Sequence, residues 1–134
     1  EDGRRIGRKV PERFDRVLLD APCSTEARIR RDDPASFSHW SPRKVKECAR
    51  KQRGLIRSGF LALKPGGVMV YCTCAYSRAE NEDVVSYLLD REASARVVSV
   101  DVDPAESRAT DLGARILPDG LFEGFFIAKI VKAS

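Results

Sequence analysis

Residues 14–20, Phe-Asp-Arg-Val-Leu-Leu-Asp, and residues 68–72, Val-Met-Val-Tyr-Cys, decide the fold. The first contains an unbroken apolar run near its end, and the second is apolar throughout. Both patterns are typical of short strands buried on both faces. Between them, Ser41-Pro42 starts an amphipathic segment, because Ser caps a helix and Pro fits its first turn. This segment ends at residues 64–67, Lys-Pro-Gly-Gly, where Pro stops a helix and the glycines permit a sharp turn. The pattern predicts a strand, a long helix and a second strand.

The sequence after residue 72 continues this alternation. Ser77 and Glu80 have the spacing of a capping box, and a second helix follows with its inner face at Val84, Val85, Leu88 and Leu89. Residues 96–102 and 123–131 predict a third and a fourth strand. We therefore predict one layered α/β domain with a mostly parallel sheet. In such sheets ligands bind outside the carboxyl ends of the strands, where the segments 20–23 and 72–74 fall.

Length and composition limit the class of protein. The chain has 134 residues, of which 43% are hydrophobic and 33% charged, with a net charge of +4. This is too apolar for a disordered tail, and no run approaches the roughly 18 apolar residues of a membrane span. Four cysteines are too few to staple a secreted domain of this length, so we expect reduced thiols and a cytoplasmic protein. The charged start, without an initiator Met, predicts a piece of a longer protein.

Basic residues are concentrated in one stretch. Residues 28–57 contain ten Lys or Arg against three Asp or Glu. Such a stretch is typical of a surface that binds a polyanion. The alternative is a solvated helix face whose charges serve solubility.

Two of the cysteines are predicted to share a site. Cys23 and Cys74 follow neighbouring strands, which lie about 4.8 Å apart in a sheet, whereas Cys72 and Cys48 fit the buried positions of a strand and a helix. A zinc site fits poorly, because it needs four ligands and the chain has one histidine. A redox dithiol normally has two residues between its cysteines. Packing alone would leave the preceding Asp20-Ala21-Pro22 unexplained, and the residues alone leave these alternatives open.

Several motifs carry a resemblance to a known family. Sun-type (RsmB/Sun) RNA cytosine-5 methyltransferases are similar to the chain from about residue 14 to residue 132. The shared motifs are Asp20-Ala21-Pro22-Cys23-Ser24, Trp40-Ser41-Pro42, Gln52, Leu63-Lys64-Pro65-Gly66-Gly67, Val70-Tyr71-Cys72-Thr73-Cys74, Glu80-Asn81-Glu82 and Glu123-Gly124-Phe125-Phe126-Ile127-Ala128.

The resemblance implies a fold and a chemistry. The fold would be the carboxyl-terminal half of a Rossmann-like class I methyltransferase domain, strands four to seven. The activity would be S-adenosylmethionine-dependent formation of 5-methylcytosine in RNA, with Cys74 as the nucleophile that adds to C6 of cytosine. Cys23 would help to release the product by assisting removal of the C5 proton. Asp20 would face both the cofactor and the base. No metal is implied.

The resemblance also gives the basic stretch a substrate. RNA, ribosomal rather than transfer RNA, would be positioned by phosphate contacts from Arg28, Arg30, Arg31, Lys44 and Lys51. A cytosine has to leave its stack to reach Cys74, so a single-stranded or deformable site is expected. We expect no membrane partner.

The sequence departs from the family in two places. Residues 25–27, Thr-Glu-Ala, replace a glycine-bearing tail after Cys23, and no Gly-x-Gly-x-x-Gly loop occurs in the chain. The cofactor-binding amino-terminal half is therefore expected to be absent, which predicts an inactive piece on its own. It also predicts an open sheet edge through which the chain can self-associate. The competing hypothesis is a non-catalytic RNA-binding half domain, or one that needs a partner chain.

Overall fold

The computed structural model describes residues 2–102, 107–119 and 123–134. Within them, three helices and six strands form an α/β structure, which confirms the predicted class. The helices are α1 (Ile6–Lys9), α2 (Pro42–Ala62) and α3 (Glu82–Arg91). The strands are β1 (Phe14–Asp20), β2 (Leu63–Thr73), β3 (Ala95–Val98), β4 (Ser107–Thr110), β5 (Gly113–Ile116) and β6 (Phe125–Lys132).

The sheet is mixed, and its pairings correct the prediction of a mostly parallel sheet. The strand order is β1-β2-β6-β5-β4, with β3 also paired to β6. Among the described strands only β1 and β2 pair in parallel, whereas every pairing of β6 is antiparallel. The reason is that β6 enters between β2 and β3 in the opposite direction, and chain order alone does not reveal such an insertion. The hairpin of β4 and β5 was not predicted either.

Helix α2 forms as its sequence predicts. The Ser41 side chain caps it by accepting a hydrogen bond from the Lys44 amide at 3.1 Å, and Pro42 occupies the first turn. Its buried face includes Ile56 and Phe60, which join the core. Two polar residues of α2, Gln52 and Ser58, are also buried on this helix.

The capping box predicted for the second helix is wrong. Helix α3 starts at Glu82, after a short 3-10 turn, and Ser77 makes no capping hydrogen bond. Instead the Ser77 hydroxyl donates to the Glu80 carboxylate at 2.7 Å. Glu80 is fully buried, so its side chain points into the protein rather than back toward a helix end.

Strand β1 is exposed where burial on both faces was predicted. Leu18 is 73% exposed and Phe14 45% exposed. β1 ends the sheet, and no described strand pairs with its outer edge. A groove of about 330 Å³, lined by Ile6, Phe14, Leu18 and Leu55 among others, runs along this side. The open sheet edge expected from the sequence is thus present.

The core lies between the inner part of the sheet and the helices. Tyr71 and Phe126 pack edge to face at its centre, with ring centroids 6.4 Å apart.

In the described part of the chain, no helix is both long enough and apolar enough to cross a membrane.

Candidate active site

The two cysteines predicted to share a site lie together. Asp20, the last residue of β1, stands opposite Cys72 in β2, so the chain after each strand leaves the sheet at the same end. The sulfur atoms of Cys23 and Cys74 are 2.9 Å apart, with one thiol donating to the other. Both side chains are half-buried and free of disulfides.

The hydrogen bond between the thiols divides their acidity. Donation from Cys74 lowers the pKa of Cys23 to about 7, and the backbone amides of Thr25 and Cys74 act in the same direction. The same interaction, together with burial, raises the pKa of Cys74. The pair therefore loses its first proton near neutral pH, and the remaining proton lies between the two sulfurs.

Cys72 and Cys48 differ from this pair. Burial, and then the neighbouring Asp20 carboxylate, raises the pKa of Cys72 to about 11, so Cys72 remains a thiol at neutral pH. Its sulfur lies 3.8 Å from Asp20 Oδ1, to which it donates. Burial also raises the pKa of Cys48. Asp20 itself is exposed at the end of β1, on the open side of the sheet.

The five predicted RNA-binding residues differ in exposure and in their distance from the cysteines. Arg28 lies close enough to the cysteine pair for its charge to favour the thiolate of Cys74, and it forms an ion pair with Glu123 at 2.9 Å. Arg30, Arg31 and Lys51 are exposed, whereas Lys44, at the start of α2, is partly buried. Among the residues that the structure covers, no three His, Cys, Asp or Glu side chains form a group that could hold a metal.

Comparison with known proteins places these features in a family. The family model described as 16S rRNA methyltransferase RsmB/F matches residues 1–131. The chain belongs to the 16S rRNA methyltransferase RsmB/F family. It is 42% identical to ribosomal RNA small subunit methyltransferase F of Pectobacterium carotovorum subsp. carotovorum (strain PC1) and 44% identical to the protein of that name from Aliivibrio fischeri (strain MJ11). Each match covers 99% of this chain but only 28% or 29% of the relative.

Solved structures agree with the RsmB/F assignment. NSun6 from Pyrococcus horikoshii, in a structure with SFG, matches with a TM-score of 0.76 and 29% identity over 100% of this chain and 34% of its own. A methyltransferase homolog protein from Pyrococcus horikoshii matches with a TM-score of 0.74 and 30% identity over 98% of this chain and 43% of its own. The Rossmann-like methyltransferase fold is thus confirmed for a chain that spans less than half the length of these relatives.

The loop after Cys23, where the chain departs from the RsmB/F motif, is held by side chains. Thr25 has a positive φ of 58°, a conformation that favours glycine. Glu26 accepts hydrogen bonds from the amides of Tyr76 and Ser77 at 3.0 and 2.8 Å, and from the Trp40 indole at 3.2 Å. Glu26 thus links the loop after β1 to the loop after β2.

Sequence reasoning missed three buried polar residues at this RsmB/F site. Gln52, Glu80 and Asn81 were part of the motif resemblance but received no role at the site, and all three are fully buried. One signal was available for Gln52. It lies four residues from both Cys48 and Ile56, so it falls on the apolar face of α2, where a polar side chain needs a partner. Glu80 offered no such signal, since its spacing from Ser77 fitted a capping box.

Proposed function

We propose that this chain is the base-binding part of an S-adenosylmethionine-dependent RNA (cytosine-5)-methyltransferase domain that forms 5-methylcytosine in RNA, ribosomal RNA being the substrate class. The observation that carries the proposal is the contact between Cys23 and Cys74 at the carboxyl ends of the two parallel strands. Residues 1–134 would be one partial domain, with its motifs between residues 14 and 132. Four free cysteines support a cytoplasmic location.

The proposed reaction starts at Cys74. As the Cys74 sulfur forms a bond to C6 of cytosine, its proton moves to Cys23 across the 2.9 Å contact. The electron pair of the C5–C6 double bond is then available at C5. When bound, S-adenosylmethionine supplies the electrophilic methyl group that C5 takes up.

Cys23 completes the reaction. After giving its proton to solvent, it accepts the C5 proton as the bond between Cys74 and C6 breaks and the C5–C6 double bond reforms. The backbone amides of Thr25 and Cys74, which also lower the pKa of Cys23, remain in place while Cys74 is bound to the base. They support the thiolate that this step requires.

Asp20 is the residue of this chain that fits the cofactor. Its exposed carboxylate lies at the carboxyl end of β1, three residues before Cys23. In this position it can accept hydrogen bonds from the amino and hydroxyl groups of S-adenosylmethionine or from the amine of the base. The NSun6 relative was solved with SFG, an analogue of this cofactor, which supports the same cofactor for the intact enzyme.

The RNA is proposed to lie across residues 28–51. Arg28, Arg30, Arg31, Lys44 and Lys51 would contact phosphates, with Arg28 nearest to the reacting sulfurs. Phe37 and Trp40 are 40% and 37% exposed in the same region and offer ring faces to unstacked bases.

The test uses RNA that carries 5-fluorocytosine. The protein is a longer one that includes these 134 residues and has the full length of the relatives. Fluorine at C5 cannot leave as the proton does, so Cys74 stays bonded to the RNA and the adduct survives denaturing electrophoresis. Cys74→Ala should abolish the adduct, and Cys48→Ala is the matched control. Cys23→Ala should let an adduct with ordinary RNA accumulate, because solvent can take the Cys74 proton during addition but no side chain is left to take the C5 proton during release. A wild-type protein that binds RNA without any adduct would instead be a non-catalytic binding module.

The isolated 134 residues should behave differently. We expect weak RNA binding and no methyl transfer, because no glycine-rich cofactor loop is present. Filter binding at several salt concentrations checks the first point. Arg31→Ala should reduce the slope of log affinity against log salt by about 0.7 to 0.9, whereas Lys64→Ala, at the opposite end of the β1–β2 pair, should not.

A further inference from the structure

Glu80 and Asn81 are adjacent, fully buried polar residues beside the cysteine pair. The reaction proposed above gives neither of them a role. Glu80 is linked to the residues on both sides of Cys23, in part through Gln52, and Asn81 is linked to the residues on both sides of Cys74.

Glu80 holds the segment around Cys23. Its carboxylate accepts hydrogen bonds from the Ser24 amide at 2.8 Å and the Ser24 hydroxyl at 2.6 Å. It also accepts one from the Gln52 amide at 3.2 Å, and that amide donates to the Pro22 carbonyl at 2.9 Å. The residues before and after Cys23 are therefore both tied to one buried carboxylate, the former through Gln52.

Asn81 holds the segment around Cys74 in the same way. Its side-chain oxygen accepts a hydrogen bond from the Thr73 hydroxyl at 2.5 Å, and its side-chain amide donates to the Ala75 carbonyl at 2.8 Å. The Ala75 amide in turn donates to the Thr73 hydroxyl at 3.2 Å. The residues before and after Cys74 are thus both bonded to one buried amide side chain.

We infer that Glu80 and Asn81 are positioning residues whose shared peptide bond fixes the distance between the Cys23 and Cys74 sulfurs. Each loop could by itself move by an ångström or more, since loops are the mobile parts of a fold. Because both loops are bonded to neighbouring residues of one chain segment, they cannot move independently. That segment is itself held, since the Tyr71 hydroxyl donates to the Glu80 carbonyl at 2.6 Å. The consequence for catalysis rests on the proposed function, but the thiol geometry does not.

The charge of Glu80 allows position to be separated from electrostatics. Among the residues that the structure describes, the charged groups that reach the two sulfurs are Glu80, which disfavours a thiolate at Cys23, and Arg28, which favours one at Cys74. If Glu80 acted only through its charge, removing it would lower the pH at which the pair ionises. If Glu80 holds the geometry, removing it breaks the hydrogen bond between the thiols and raises that pH.

The experiment measures the alkylation rate of Cys23 by iodoacetamide against pH in the 134-residue chain, read by peptide mass spectrometry. Glu80→Ala and Asn81→Leu should raise the midpoint by about one pH unit, toward an ordinary thiol. Glu80→Gln keeps the shape and three or more of the contacts, so its midpoint should stay at or below the wild-type value. Glu82→Gln is the matched control, because Glu82 is equally buried in the same motif but pairs with Arg115 at 3.0 Å.

The inference fails if Glu80→Ala and Asn81→Leu fold and keep the wild-type midpoint. Should either variant unfold, which rapid alkylation of buried Cys48 would reveal, Thr73→Val replaces it. Thr73→Val keeps the volume and removes the hydroxyl that Asn81 holds, so an unchanged midpoint in this variant would also overturn the inference.

A second readout separates this inference from the proposed function. In the full-length protein, Asn81→Leu should lower kcat by about tenfold to a hundredfold with KM for RNA unchanged, since misplacement by about 1 Å has effects of that size. If the wild-type protein forms no adduct with 5-fluorocytosine RNA while the alkylation midpoints still shift, the proposed function is wrong and the positioning role stands.

Discussion

The carboxyl end of strand β1, here called the closed side, and its outer edge, here called the open edge, differ in hydrogen bonding, strand pairing and exposure. At its carboxyl end the chain enters a region where Pro22, Ser24, Thr73 and Ala75 are all hydrogen-bonded to buried side chains. Along its outer edge, no described strand pairs with it and Leu18 is largely exposed. β1 thus leads at its carboxyl end into a loop that hydrogen bonds hold in place, while its outer edge has no partner among the described strands.

The largest expected effect is on the closed side. Glu80→Ala removes a carboxylate that accepts four hydrogen bonds and leaves donors such as the Ser24 amide buried without a partner. We expect the free energy of unfolding to fall by about 3 to 5 kcal/mol. Urea denaturation followed by circular dichroism measures this. A loss below about 1 kcal/mol would mean that water replaces the network easily, and the contrast with the edge would disappear.

The next effect concerns the acidity of the thiol pair. Because donation from Cys74 is the main reason that the pKa of Cys23 lies at about 7, Cys74→Ala should move it up toward an ordinary thiol near 8.5. The thiolate then forms only at higher pH, so alkylation of Cys23 at pH 7 should slow by about tenfold. The rate is measured by quenching the alkylation at several times and quantifying modified Cys23 by mass spectrometry. Cys48→Ala should leave it unchanged, and an equal slowing in that control would contradict the assignment.

A smaller effect is expected at Gly124. An added Cβ would lie 2.1 Å from the Tyr76 hydroxyl, so Gly124→Ala must push this ring, which follows Cys74 by two residues. We expect a loss of about 1 to 3 kcal/mol in the free energy of unfolding, measured by thermal and urea denaturation. The double variant with Tyr76→Phe should recover part of it, because the closest atom is then gone. Full additivity of the two changes would show that Tyr76 is not the obstacle.

The smallest effect on folding belongs to the open edge. Leu18→Lys should change the free energy of unfolding by less than about 0.5 kcal/mol, since this side chain is already in water. It should nevertheless reduce self-association, because a charge on an edge strand opposes pairing with another copy. Sedimentation velocity over a range of protein concentrations measures this, with Ile29→Lys as the matched exposed control. If the wild-type chain is monomeric at all concentrations, the predicted self-association is wrong.

The sequence predicts the closed side better than the sheet that surrounds it. Cys23 and Cys74 could be placed together because each follows a short apolar run, and the parallel pairing of those runs follows from local pattern. The place of β6 could not be predicted, because antiparallel insertion between β2 and β3 depends on contacts distant in the chain. The exposure of Leu18 was missed for a related reason, since an apolar run does not distinguish a central strand from a strand at the edge of the sheet. The roles of Glu80 and Asn81 required coordinates, because a motif gives residue identity but not which carbonyl or hydroxyl a side chain meets.

The central position of β6 has a consequence for the order in which the molecule can be built during translation. β1, α2 and β2 leave the ribosome before β6, but pairs such as Thr73 with Phe126 and Val68 with Val131 need that strand, which is synthesised last among the six. Until then one edge of β2 has no partner, and Met69 and Tyr71, fully buried in the finished protein, are not yet covered by β6. Pairings between distant segments form slowly. A nascent chain that pauses after residue 116 therefore holds both cysteines but cannot yet close the sheet that carries them.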